Sequence, residues 1–402
     1  MKAIVANLFL LIMTTQDVWS QNIFVKTYDN CWAGVFTAQT SDMGFIIAGS
    51  RGPTIYLVKT NASGNKLWTR NIIDQFGTTA TVIKQTTDGG YILTGMIHES
   101  GGITGAGYGD VLILKLDSIG NIRGRTILGN KDSKEWGTGI LLGKDNNFYV
   151  CGSIGINGLL VKLNNVGDTL WLRKYETISA VYGILDSGDG NLLLSSTKKN
   201  LGIFIVKVDQ EGKILTEKRI TDNCNLASVP GFQKSPDGNY IILEEKHEPQ
   251  PRWLLSKFSG EGNLIWEKFF EGDHQIILNS FNNCQDGGII LTGSIEKEFE
   301  IPSKNVTRSS SDVILIKTNH LGETLWTRIF SGYGNDIGYY VSQTTDGGFI
   351  ISGSTRGFYD YLSGDLRTSD QIFLIKTDSN GKTAWPPWES NSDHHLPLNE
   401  KN

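Results

Sequence analysis

One unit of sequence recurs seven times, and this recurrence constrains the fold more than any other feature of the chain. Each copy carries an Asp in a turn (Asp42, Asp88, Asp145, Asp189, Asp237, Asp286, Asp346), then a hydrophobic run, then a second run ending in Lys (Lys59, Lys115, Lys162, Lys207, Lys257, Lys317, Lys376). A turn Gly follows (Gly64, Gly120, Gly167, Gly212, Gly262, Gly322, Gly381). Lys to Gly is five residues in every copy, and Gly to the next Asp is 22 to 25.

Each copy reads as four short strands. Val341–Thr344, Phe349–Ser352 and Ile372–Lys376 typify the first three, and Leu325–Phe330 typifies the fourth, alternating in period two. The Asp-Gly and Asp-x-x-Gly steps suit tight hairpins because Gly accepts positive φ. Strand-only units of about 40–50 residues in tandem specify propeller blades. β-Helix repeats are much shorter, and the 3.6 period of a helical solenoid is absent. The expectation is an all-β fold, a seven-bladed β-propeller of four-stranded antiparallel blades, forming one domain over residues 21–385.

The ends of the repeat predict how the ring closes. After Gly381 the chain reaches Trp385 and then Pro386-Pro387, which cannot donate to a ladder. The seventh copy therefore lacks an outer strand, while Phe24-Val25-Lys26-Thr27-Tyr28 matches Trp326–Phe330 in residue type and precedes the first Asp. Residues 22–28 are expected to supply the missing strand and so remove a sheet edge. Residues 386–402 are expected to form a polar tail.

Residues required in every copy are required by the blade. The seven Asp are expected to accept turn N–H groups and the seven Lys to cap or pair beside them, in preference to a charged ring with chemical work. Trp68, Trp171, Trp266, Trp326 and Trp385 each follow the turn Gly by four residues and are expected to pack between blades rather than bind ligand.

Residues 1–20 read as a signal peptide. Lys2 precedes an apolar run from Ala3 to Met13, and Val18 and Ser20 fit a peptidase site with Gln21 as the mature start. The competing reading is a buried first strand. The run is too short to cross a bilayer, and no later segment approaches that length, so no membrane span is expected and the protein is expected outside the cytoplasm, whether secreted, periplasmic or on the cell surface. A formal charge of −5 with scattered basic residues argues against nucleic acid as partner.

The strings Thr-Asp-Gly-Gly-Phe-Ile-Ile-Ser-Gly at 345–353 and Leu-Ile-Lys-Thr-Asp-Ser-Asn-Gly at 374–381 resemble the exported β-propeller repeat proteins of bacteria, often labelled hypothetical proteins or lipoproteins. The resemblance covers about residues 22–385 and implies architecture and export, with almost nothing on activity. Many members of that group carry a C-terminal sorting domain, for which residues 386–402 leave too little length. No Cys closely follows the apolar leader, so no lipid anchor is expected.

Catalytic signatures are absent. The Asp-x-x-Gly-x-x-x-Trp turn is similar to the docking motif of quinoprotein propellers but is one residue shorter, and no adjacent Cys pair accompanies it. It also differs in its spacing to Trp from the Asp-box of sialidases, and no arginine cluster is present. His98, His247, His274, His320, His394 and His395 show no zinc spacing, and no nucleophile elbow or calcium loop is found. No catalytic residue, cofactor or metal is expected. Cys31, Cys151, Cys224 and Cys284 lie in different copies and are expected unpaired.

Function is expected where the copies differ. Asp to Lys spans 17, 27, 17, 18, 20, 31 and 30 residues, so copies 2, 6 and 7 carry insertions, near 97–109, 295–311 and 355–370. All three fall between the second and third strands, hence on one face of the disc. They hold Tyr108, Phe299, Arg308, Arg356, Phe358, Tyr359, Tyr361 and Arg367, aromatic and Arg residues of the kind that anchor interfaces. The functional expectation is a secreted, non-catalytic propeller binding a protein or glycan through these loops. The alternatives are an extracellular carbohydrate-active hydrolase or lyase, whose paired carboxylates would come from distant loops, and a structural surface-layer component.

Overall fold

The computed structural model describes residues 22–28, 33–51, 54–73, 77–98, 109–129, 133–198, 201–221, 231–246, 252–271, 274–301, 306–331, 335–356, 359–360, 365–366 and 370–384. They form seven four-stranded antiparallel sheets arranged as blades, and one two-stranded hairpin.

Blade 1 comprises Ala33–Gln39, Phe45–Arg51, Thr54–Thr60 and Lys66–Ile73; blade 2 comprises Thr78–Gln85, Tyr91–His98, Gly109–Leu116 and Ile122–Leu128. Blade 3 runs through Trp136–Leu142, Phe148–Ile154, Asn157–Leu163 and Thr169–Tyr175, and blade 4 through Ala180–Asp186, Leu192–Lys198, Gly202–Val208 and Ile214–Thr221. Blade 5 holds Gly231–Lys234, Tyr240–Lys246, Arg252–Phe258 and Leu264–Phe270; blade 6 holds Ile276–Asn283, Ile289–Ile301, Val306–Thr318 and Thr324–Phe330.

Blade 7 takes three strands from the C-terminal copy, Asp336–Gln343, Phe349–Arg356 and Asp370–Thr377, and its outer strand from Phe24–Tyr28. The register runs from Phe24 opposite Lys376 to Tyr28 opposite Ile372. The expected closure is therefore present. Packing at its two ends holds it: Phe24 and Tyr28 are buried in the cluster shared with blade 1, while Val25, Lys26 and Thr27 are partly exposed.

Among the described residues the hydrophobic core is divided into seven clusters, each shared by two adjacent blades. Ile46 and Leu57 of blade 1 meet Ile83 and Leu93 of blade 2. The series continues round the ring until Phe24, Ile372 and Leu374 of blade 7 meet Phe45, Ile47 and Val58 of blade 1. Both faces of the inner strands are thereby covered, which accounts for their nearly unbroken apolar runs. Phe36 and Tyr340, from the first strands of blades 1 and 7, pack ring to ring at 4.3 Å between centroids.

Polar latches also join neighbouring blades. The side-chain oxygen of Gln85 accepts from Ser41 N–H at 2.7 Å, that of Gln343 from Gln285 N–H at 2.7 Å, and that of Gln39 from Thr345 N–H at 3.1 Å, the last joining blades 1 and 7.

Candidate functional site

The disc has two ends of different character. The turns with Asp and Gly join strands 1 to 2 and 3 to 4, so they share one end; the connections from strand 2 to 3 lie at the other.

At the turn end, all seven Asp–Lys pairs form. The Nζ-to-carboxylate distances are 2.8, 2.8, 3.0, 2.5, 2.7, 2.9 and 3.0 Å for Lys59–Asp42, Lys115–Asp88, Lys162–Asp145, Lys207–Asp189, Lys257–Asp237, Lys317–Asp286 and Lys376–Asp346. The Asp also receives a turn N–H two residues on: Gly44 N–H donates to Asp42 at 3.0 Å and Gly288 N–H to Asp286 at 2.9 Å. Lys59 donates a further bond to the Thr60 carbonyl at 2.7 Å. Burial opposes ionisation of Asp88, but bonds from Lys115, Thr86 and Gly90 outweigh it and hold the carboxyl at about 2. The other six Asp are shifted in the same direction. This ring is structural, as the repeat implied.

Sequence reasoning missed a division among these turns. In blades 1, 2, 6 and 7 the residue two after Asp is Gly; in blades 3, 4 and 5 it is Asn. Where it is Gly, the lysine side chain is only 5, 4, 4 and 3 % exposed; where it is Asn, 12, 31 and 8 %. The reason is steric: a Cβ on Gly44 would lie 2.6 Å from Lys59 Nζ. Glycine lets the ammonium sink onto the backbone.

The tryptophans pack between blades. Trp68, Trp171, Trp266 and Trp326 stand opposite Lys59, Lys162, Lys257 and Lys317. Each lies against the turn Gly of the next blade: would-be Cβ atoms on Gly120, Gly212, Gly322 and Gly381 come within 3.0 Å of the respective indole. Trp68 and Trp326 also meet the next blade's Tyr91 and Phe349 edge-on, at 6.0 and 5.8 Å. Arg70, Arg173 and Arg328 cover the outer faces of Trp68, Trp171 and Trp326. Trp385 lies outside the described residues.

At the opposite end, the blade-6 insertion is no loose loop. Strands two and three simply continue, pairing from Glu296 opposite Ser311 to Ile301 opposite Val306. This extends the blade by about 20 Å at ~3.3 Å per residue. The register sets Phe299 opposite Arg308, so two of the sequence-selected residues come together on one hairpin. In blade 7, Arg356 is exposed at the end of strand two, opposite Asp370, and Tyr359 pairs with Leu366 in the small hairpin Tyr359–Asp360 and Asp365–Leu366. Tyr108, Phe358, Tyr361 and Arg367 lie outside the described residues, as do Cys31, Cys224 and the leader over residues 1–20.

Buried carboxylates anchor the bases of two insertions. Asp110 and Glu135 are 8 and 0 % exposed, and any side chain on Gly129 would collide with both. Ser133 Oγ donates to Glu135 at 2.7 Å. Asp312 stands at the matching place in blade 6, ion-paired with Lys297 of the extended hairpin and accepting from Ser331 Oγ at 2.9 Å. Among the described residues no group of three or more His, Cys, Asp and Glu is placed to hold a metal. Cys151 and Cys284 are buried free thiols, and burial pushes both up to about 12.

Fold and site together define a seven-bladed β-propeller whose blade machinery occupies one end and whose blade-specific elaborations occupy the other. No family model matches the chain, and no curated protein matches its sequence. Among solved structures, Raptor of Chaetomium thermophilum aligns with TM-score 0.55 and 8 % identity, over 89 % of this chain and 29 % of that one. The Pan2 WD40 domain of Neurospora crassa aligns with TM-score 0.51 and 9 % identity, over 87 % of this chain and 90 % of that one. A protein of unknown function from Bacteroides caccae gives TM-score 0.43 at 10 % identity, over 69 and 89 % of the two chains. The first two likenesses bear on fold alone. No helix among the described residues is long and apolar enough to cross a membrane.

Proposed function

We propose that this chain is an exported, non-catalytic propeller that binds a protein or glycan through the end bearing the insertions. The observation that carries the reading is the blade-6 hairpin. Its strands pair from Glu296 opposite Ser311 to Ile301 opposite Val306, past the length of every other blade, and Phe299 stands opposite Arg308 on it. Loops and extensions carried on a closed scaffold are a common place for binding residues, and backbone pairing lowers the ordering cost of such an extension. Arg356 and Tyr359 of the adjacent blade extend the same end, and Tyr108, Tyr361 and Arg367 are assigned to the surface by their place in the insertions. Export rests on Lys2, the apolar run Ala3–Met13 and the Val18-x-Ser20 step.

The deciding experiment screens the purified protein against glycan arrays, immobilised extracellular proteins and soluble polysaccharides. Saturable binding without turnover, lost when 295–311 and 355–370 are replaced by short turns, supports the reading. Polysaccharide turnover by the intact protein would replace it with the hydrolase or lyase reading. N-terminal sequencing of exported protein should find Gln21 first.

A further inference from the structure

Blade 4 breaks the interblade pattern at one place and leaves a void. Opposite Lys207 stands Thr216, where blades 1, 3, 5 and 6 place Trp and blade 7 places Phe24. The surroundings of that missing ring are nonetheless complete. Tyr240 of blade 5 begins its strand as Tyr91, Phe349 and Phe45 begin theirs, the rings that Trp68, Trp326 and Phe24 meet edge-on. Lys218 follows Thr216 by two residues, as Arg70, Arg173 and Arg328 follow the indoles whose faces they cover. Gly262, at φ +78°, is the matching turn glycine, and in place of a ring the stem of Lys218 and the tip of Ile220 lie beside it, 2.7 and 3.2 Å from where a Cβ would stand.

The result is a cavity of 340 Å³ lined by these residues together with Lys207 and Glu261. The exposure of two residues that line it marks it as uncovered. Of the seven turn glycines, Gly262 alone is not buried. Lys207 is 31 % exposed, against 12 and 8 % for Lys162 and Lys257, the other two lysines whose turn carries Asn. Lack of a ring does not by itself leave a hole. Blade 2 has Gly124 opposite Lys115, and there the next blade moves in: a Cβ on Gly124 would lie 2.7 Å from the Val166 carbonyl.

We infer that this cavity is a socket for a tryptophan side chain carried by a partner polypeptide. The occupant is argued from the molecule's own chemistry. At Trp68 and Trp326 an indole fills the same surround, edge-on to the next blade's ring, against its turn glycine and under a cation, and at Trp171 and Trp266 an indole likewise lies against the next turn glycine. In each case it is delivered by a residue of an extended strand, so the socket is shaped for a chain-borne ring. Glu217, Glu261, Lys207 and Lys218 make the rim polar and balanced in charge, with Glu217 paired to Lys198 and Lys207 to Asp189. The site lies at the turn end of the disc and stands or falls independently of the insertion surface.

Saturation-transfer NMR and titration calorimetry on the full chain test it, with N-acetyltryptophanamide, N-acetylleucinamide and a short extended peptide bearing one central Trp. Saturable binding of the tryptophan amide and of the peptide, without binding of the leucine amide, is expected. Thr216→Trp should fill the socket, raise the melting temperature and weaken binding at least tenfold. If Thr216→Trp does not fold, Tyr240→Ala serves instead, with an unchanged circular dichroism spectrum and the same tenfold loss. Absence of saturable binding by the wild type, equal binding of the leucine amide, or binding by the variant within twofold of wild type overturns the socket. Binding of the amide but not the peptide overturns the polypeptide partner in favour of a small free indole.

Discussion

Phe24 lies opposite Lys376, in the ladder position that Trp326 holds opposite Lys317 one blade earlier. The substitution extends to what the ring touches. A Cβ on Gly64 would lie 2.5 Å from the Phe24 ring, which meets Phe45 of blade 1 edge-on at 6.2 Å. Four residues further on, Tyr28 donates to the Gly64 carbonyl at 2.7 Å, as Tyr175 does to that of Gly212 at 2.7 Å. The N-terminal strand thus reproduces the ring-to-glycine and edge-on contacts made at Trp326, and the ring is closed by the same physics that joins its other blades.

Phe24→Ala should therefore lower stability by about 3–5 kcal/mol, the usual range for a buried Phe. Removing residues 21–30 should cost more, because it also opens an edge on blade 7. Thermal melts of the two variants check this. A melting temperature equal to wild type for the deletion would mean the strand closes nothing.

Gly44→Ala tests the sunken lysines. The added Cβ would meet Lys59 Nζ at 2.6 Å and collide with the Thr60 carbonyl, so either the ammonium or the turn must move. A loss of about 1–3 kcal/mol is expected. Chemical denaturation should show Asn191→Ala, at the matching place in blade 4, to cost less, because Lys207 is already lifted to 31 % exposure.

Blade count, closure and the roles of Asp, Lys and Trp were legible because each rests on a fixed offset repeated round the ring. Gln39, Gln85 and Gln343 also keep a fixed offset, three residues before Asp42, Asp88 and Asp346, so the latches were visible but unread. The blade-6 hairpin was harder. Asp-to-Lys spacing measures how long an insertion is and says nothing of its pairing, and Ser309-Ser310-Ser311 looks like a loop. The alternation at Ile295, Phe299 and Ile301 was the available signal. The socket could not be read at all. Gly124 and Thr216 both break the Trp pattern, and only packing decides that one gap closes and the other stays open.

Acid should weaken the ring at every blade. All seven turn Asp have folded values below the ordinary carboxylate value, Asp88 at about 2. A depressed carboxylate stabilises the fold above its unfolded value, about 3.9, and that contribution is lost as pH falls through the folded value. The melting temperature should drop steeply between about pH 4 and pH 2. Added salt should reduce the effect, since these carboxylates are partly exposed. Asp42→Asn should lower stability at neutral pH and make the acid limb shallower; a flat profile over that range would show the pairs to be idle.

Cys151 and Cys284 should resist alkylation in the folded protein, since both are buried and held as neutral thiols well above neutral pH. Mass spectrometry after iodoacetamide treatment, with and without denaturant, should find these two labelled only on unfolding. Labelling of Cys151 under native conditions would mean that blades 3 and 4, whose shared core contains it, separate far more readily than their packing implies.

The last expectation separates the two ends of the disc. Replacing 295–311 and 355–370 with short turns that keep Ile at 295 and Thr at 355, both buried, shortens connections that join strands already in register, Ser294 opposite Val313 and Ser354 opposite Ile372. Loop length carries little free energy, so the melting temperature should stay within a few degrees, although loss of the Lys297–Asp312 pair makes Asp312→Asn a sensible companion in blade 6. Ligand binding through the insertion end should disappear. Asp42→Ala with Lys59→Met should behave in the opposite way. Those residues serve blade 1, which carries no insertion, so stability should fall while ligand preference is retained. Binding measured by calorimetry and stability measured by melting then form a crossed pair. If the loop-shortened protein binds as well as wild type, the ligand is held elsewhere on the disc, and Phe299, Arg308, Arg356 and Tyr359 are not its contacts.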